Sequence, residues 1–191
     1  MRWAVVSLLL IGSLVTWSSG AASKAAALPI LKAGIWQSQH QLWIDNVDVI
    51  ADLKQQQQGL IGFLPKAQQA KVQQMVQQKD PSKTKQCLPS AQAKTLKTPQ
   101  DYQKWLKQKL PKCQLSFQGQ QGNLLRFGGH CNGQQGYTGT VSAQLQVHNS
   151  TRLTLQVQGQ GKALVPGYSD GRSQSQFRVH SDASWTGATC G

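Results

Sequence analysis

The sequence predicts an α+β fold: one curled antiparallel sheet, a meander of six or seven strands able to form a partly open barrel, with helices inserted in its N-terminal half. Two observations carry this. Beyond Lys112 the apolar residues recur with a period of two, as in strands with one buried face, and turn-forming clusters rich in glycine and asparagine separate the runs. Before Lys112 the apolar spacing is mostly helical, in short runs punctuated by Pro65, Asp80-Pro81, Thr98-Pro99 and Pro111.

At the N-terminus Met1-Arg2 is a basic n-region and Trp3 to Trp17 a short apolar h-region. Ser19-Gly20-Ala21 supplies the small residues of a cleavage site. Residues 1–21 are therefore expected to be a cleavable signal peptide and 22–191 a single disulfide-bonded domain, without a later membrane-spanning run. Gly34 to Ile44 (GIWQSQHQLWI) has the composition of a strand, and Asp45-Asn46 after it is a helix N-cap pair. Ile50, Leu53, Leu60, Ile61 and Leu64 then form a helical stripe. Pro65 starts a second helix to about Gln78, with glutamine pairs on the polar faces.

Lys85 to Leu88 reads as a short strand. Thr98-Pro99 offers an N-cap with proline at the first helical position, on a helix whose buried stripe is Tyr102, Leu106 and Leu110 with Trp105 beside it. The meander follows. Tyr137, Gly139, Val141, Ala143, Leu145 and Val147 alternate with polar residues, Leu153, Leu155 and Val157 continue the apolar face, and Phe177, Val179, Ala183 and Trp185 repeat it.

Twenty Lys and Arg stand against seven acids, all aspartate, for a net charge of +13, and loss of Arg2 with the signal lowers this by one. Nine lysines and two aspartates fall between Lys79 and Lys112. Lys94, Lys97, Lys104, Lys107, Lys109 and Lys112 are the candidate anion-binding patch, for an anionic envelope component such as a lipid headgroup, cell-wall polymer or acidic protein. Lysine without arginine fits diffuse charge attraction better than bidentate recognition. Nucleic acid is not expected in an exported chain that lacks a nucleic-acid-binding motif. Cys87, Cys113, Cys131 and Cys190 have no C-x-x-C spacing, so they predict structural disulfides of an oxidising compartment. Of the three pairings, Cys87 with Cys113 and Cys131 with Cys190 is the expected one.

Lys32-Ala33-Gly34-Ile35-Trp36, a Gln-rich helical insert, Cys87-Leu88-Pro89, Cys113, Cys131 and the closing Trp185-Thr186-Gly187-Ala188-Thr189-Cys190-Gly191 resemble a family of small exported bacterial proteins. That family is the domain of unknown function DUF3617. The resemblance implies a bacterial periplasmic protein and no established activity. Where the family's insert carries methionine this chain has glutamine and Met75, which argues against soft-metal binding there.

No catalytic constellation emerges. Gly167-Tyr168-Ser169-Asp170-Gly171 matches a G-x-S-x-G elbow, but the flanking sequence reads as a hairpin loop rather than strand, turn and helix. His40, His148 and His180 are expected on polar strand faces. Asp45, Asp48 and Asp52 are expected to cap a helix rather than bind calcium, and Asn149-Ser150-Thr151 is a glycosylation sequon that matters only in a eukaryotic host. The expectation is a monomeric, periplasmic or secreted, non-enzymatic binding or envelope-maintenance protein without cofactor or metal, its ligand anionic or apolar. The alternatives are a hydrolase assembled from distant loops, with Ser169 as nucleophile, and a protein inhibitor or immunity-type partner.

Overall fold

The computed structural model describes residues 27–78, 80–133, 137–163, 167–168 and 174–190. Residues 1–26, and with them the expected signal peptide, lie outside the described residues. Among the described residues eight strands form one open antiparallel sheet: β1 (Gly34–Ile44), β2 (Val47–Asp48), β3 (Lys83–Leu88), β4 (Cys113–Gln121), β5 (Leu124–Asn132), β6 (Tyr137–Asn149), β7 (Arg152–Ala163) and β8 (Ser175–Gly187). The order is β2-β1-β8-β7-β6-β5-β4, and β3 also pairs with β1. Strands β4 to β8 are the predicted meander. It is completed by β1, which lies along β8 on one side and shares its other side between β3 and β2. The four helices among the described residues, α1 (Val49–Gly62), α2 (Lys66–Gln78), α3 (Ser90–Thr95) and α4 (Pro99–Lys109), all precede the meander.

The first turn differs from expectation. Asp45 and Asn46 have φ of 47° and 72°, a two-residue turn that joins β1 to β2. The helix cap is Asp48 instead, whose Oδ1 accepts from the Ala51 amide at 3.0 Å. Asn and Asp tolerate this left-handed backbone at little cost, so the same residues that signal a cap signal a hairpin. At α4 the expected cap is present as a full capping box: Thr98 accepts from the Asp101 amide and Asp101 accepts from the Thr98 amide, with Pro99 opening the helix. The short helix α3, which has no side-chain cap, was not expected.

The predicted period-two face is the inner face of the sheet. Val141, Ala143, Leu145 and Val147 of β6, Leu125 and Phe127 of β5 and Leu115 of β4 are buried there, beneath Ala93 and Leu96 of the α3 segment and Tyr102 and Leu106 of α4. Leu28 and Leu31 of the leading segment join the same core. The α1–α2 hairpin does not. Of its expected stripe only Ile61 is buried, while Leu53 and Leu60 are exposed, because α1 rests at the β1–β2 end of the sheet and none of the described side chains of α2 is buried. A salt bridge roots the hairpin: Lys54 Nζ lies 2.8 Å from Asp80 Oδ1, and the Ser82 amide and hydroxyl donate to the same oxygen.

The disulfides correct the expected pairing: Cys87 joins Cys190, and Cys113 joins Cys131. The reason is register. Cys113 and Cys131 face each other on the adjacent strands β4 and β5. Cys87 on β3 and Gly187 at the end of β8 are both partners of Ile35 on β1, which brings Cys190 to Cys87 across the start of that strand. A basic segment between two cysteines in sequence says nothing about which strand lies beside which. Two disulfides in a chain of this size fit an oxidising extracellular or periplasmic environment. Among the described residues no helix is long and apolar enough to cross a membrane.

Candidate functional site

The helices cover only part of the inner face. Leu115, Leu125, Phe127, Ala143, Leu145 and Val147 on β4, β5 and β6 are buried, whereas Leu155, Phe177 and Val179 on β7 and β8 are half-buried. Between them and α4 runs a groove of two lobes, about 480 and 200 Å³. In the larger lobe Val157, Phe177 and Val179 form the floor, and Leu106, Leu110 and Tyr137 the walls. Gly159 makes room for this floor: a side chain there would strike the Phe177 ring and the Tyr137 hydroxyl, two rings that pack edge-on with centroids 4.4 Å apart. The smaller lobe is lined by Leu31, Trp36, Leu88, Leu153 and Ala183. Five residues face both lobes and form the waist: His40, Trp105, Lys109, Leu155 and Ser181.

The waist brings three polar side chains, His40, Lys109 and Ser181, together with Trp105 and Leu155. His40 shares the face of Trp36 and Ile44, inward and cross-strand from Ser181, rather than the polar face expected of it. Its Nε2 lies 2.8 Å from Thr84 Oγ1, and burial lowers its pKa, so the imidazole favours the neutral form. Lys109 Nζ donates to Gln86 Oε1 at 3.0 Å. His148 and His180 do lie outward. His148 Nε2 lies 2.9 Å from Thr154 Oγ1, which donates to Asp182 Oδ1, and His180 Nε2 is 2.9 Å from Asp182 Oδ2. The hydrogen bond from Thr154 first, and His180 after it, hold the Asp182 carboxyl below the usual range.

The six patch lysines are all exposed, and two of them belong to the groove. Lys109 and Lys112 line the groove. Lys94 belongs to α3, Lys97 to the loop after it, and Lys104 and Lys107 to α4 outside the groove lining. Asp45, Asp48 and Asp52 serve separate partners: the Gln176 amide, the Ala51 amide, and the side chains of Gln56 and Tyr168. Asn149 Oδ1 accepts from the Thr151 amide and hydroxyl in the β6–β7 turn. Among the described residues no cluster of three metal-ligating side chains occurs. Ser169 and the rest of the G-x-S-x-G motif beyond Tyr168 lie outside the described residues.

The outer face also carries two shallow troughs, about 410 and 380 Å³, whose linings include exposed glutamines, Ser142 and Arg178. Water satisfies such groups at no cost. Apolar floor left in contact with water is unfavourable, so the inner groove is the better candidate for a ligand.

The two ends of the domain meet beside the smaller lobe. Trp36 and Trp185 are cross-strand partners on β1 and β8, and their indoles donate to the Lys32 and Ala33 carbonyls at 2.9 Å each. Gly34, at φ 127°, leaves no space for a side chain against Gly187 and the Trp185 ring. The Gly-x-Trp opening and the Trp-x-Gly close are thus one structural unit, and the model of the DUF3617 family, described as a protein of unknown function, matches residues 31–190. The chain belongs to the DUF3617 family. No curated protein and no solved structure matches it. The match runs from Leu31 to Cys190, so both motifs and all four cysteines of this DUF3617 chain fall inside it.

Sequence reasoning found the apolar parity but missed the groove. Its waist residue His40 was legible in principle, since it is an even number of residues from Trp36 and Ile44 and so on their face.

Proposed function

We propose that this DUF3617 protein is a periplasmic, non-enzymatic binding protein that holds an anionic amphiphile in the groove, its hydrocarbon on the β7–β8 floor and its acid group at Lys109 and Lys112. The observation that carries this reading is the juxtaposition of an uncovered apolar floor with two lysines on its lining. Burying the floor gains roughly 25 cal/mol for each Å² of apolar surface, and the ammonium groups select for an acidic head. The disulfides and the N-terminal export sequence support the compartment.

A fluorescent long-chain fatty acid and its neutral methyl ester test the reading. The acid is expected to bind one to one, and the ester several-fold more weakly. Lys109→Gln with Lys112→Gln should bring the acid down to the ester, and Val179→Trp, which fills the larger lobe, should abolish both while the oxidised fold persists by circular dichroism. Equal binding of acid and ester, or binding that ignores the filled lobe, would overturn it. A fluorophosphonate probe should leave the protein unlabelled; stoichiometric labelling of a serine would favour the hydrolase instead.

A further inference from the structure

We propose that the tip of the α1–α2 hairpin is a membrane-interface anchor that docks on an anionic phospholipid bilayer. The proposal is independent of the groove. Phe63 is 90% exposed and Leu60 69%, at the turn between two helices, with Met75 at 48% farther along α2. Large apolar side chains so exposed are not required by the fold, since the core is complete without them. Phe63 and Leu60 lie at the turn of the hairpin, outside the core. A pair of side chains on a tip is too small for a stable protein interface of roughly 800 Å² per partner, but it suits insertion among lipid headgroups.

Two further observations point to the same occupant. Between Asp52 and Asp80 the chain has no acid and carries Lys54, Lys66, Lys71 and Lys79, with Lys66 and Lys71 exposed beside the tip. Lysines near an anionic surface contribute to attachment while the apolar residues enter the interface. Part of the backbone of the tip is also satisfied from within. The Phe63 amide donates to the Leu60 carbonyl at 3.3 Å and the Leu64 amide to the Ile61 carbonyl at 3.0 Å. Gln69 Nε2 donates to the Leu64 carbonyl at 2.8 Å, the Gln68 amide donates to the Pro65 carbonyl at 2.8 Å, and proline has no amide to desolvate. Each of these internally paired groups enters a low-dielectric layer at less cost than one that relies on water.

The test is co-sedimentation of the oxidised, processed protein with vesicles of phosphatidylglycerol and phosphatidylcholine, against vesicles of phosphatidylcholine alone. Binding is expected on the anionic vesicles and should weaken as salt rises. Leu60→Ser with Phe63→Ser should reduce it at least tenfold without lowering the melting temperature, and Lys66→Gln with Lys71→Gln should reduce it several-fold and flatten the salt dependence. The Lys109→Gln, Lys112→Gln and Val179→Trp variants should still bind vesicles, and the serine variant should still bind the fatty acid, which keeps this proposal separate from the groove reading. No vesicle binding, binding unchanged in the serine variant, or a lipid-free dimer that the serine variant dissolves would overturn it.

Discussion

Asp80 holds the hairpin to the sheet through a charge. Burial by itself would raise its carboxyl, but hydrogen bonds from Lys54 and Ser82 and the Lys54 charge outweigh that and bring it from 3.8 down to about 2. A carboxylate whose pKa falls on folding stabilises the protein fully above its unfolded value, and that contribution is lost as pH drops toward the folded one. Asp80→Asn is therefore expected to cost about 1 kcal/mol at pH 7, allowing for solvent screening, and close to nothing at pH 2. Urea unfolding at the two pH values checks it, and an equal cost at both would show that the carboxylate's charge is irrelevant.

At the scale of elements, the strand pattern decides which side chains are core and the helices decide how well each is covered. Leu145 on β6 and Leu155 on β7 are direct cross-strand partners on one face, yet Leu145 is fully buried and Leu155 is half-buried at the groove waist. Leu145→Ala should cost roughly 2–5 kcal/mol and Leu155→Ala clearly less, with Gln144→Ala and Gln156→Ala nearly silent, all by chemical denaturation. Equal losses at the two leucines would mean that the groove is closed in solution. Period-two alternation made β6, β7 and β8 legible in the sequence, and Thr98-Pro99 did the same for α4, because these signals are local. Which part of an apolar face a helix leaves open is not local: it depends on where α4 lands on the sheet, so parity could turn His40 and Leu155 inward but could not mark them as lining a site. The α1–α2 stripe misled for the same reason. Helical periodicity establishes an apolar face, and whether anything lies against it is settled by the rest of the chain.

For the whole molecule, covalent closure follows sheet order rather than sequence order. The Cys87–Cys190 bond spans 103 residues and Cys113–Cys131 spans 18. On the chain-entropy estimate the first is worth about 4–5 kcal/mol and the second about 3. Replacing Cys87 and Cys190 by serine should therefore destabilise more than replacing Cys113 and Cys131. Calorimetry of the two double variants would show this, and the reverse ranking would mean that strand pairing in the unfolded chain already closes the long loop. The long bond also determines how the molecule carries load. Tension between the two ends passes from β1 to β3 and across the sulfur bridge, so everything between Cys87 and Cys190 is a closed loop in which no strand is stretched. Roughly 350 Å of extended chain is thereby kept out of reach of a pull on the termini. Trp105, Lys109, Leu155 and Phe177 all lie inside that loop, and only the part of the groove built by β1, β3 and the leading segment stands on the stretchable portion.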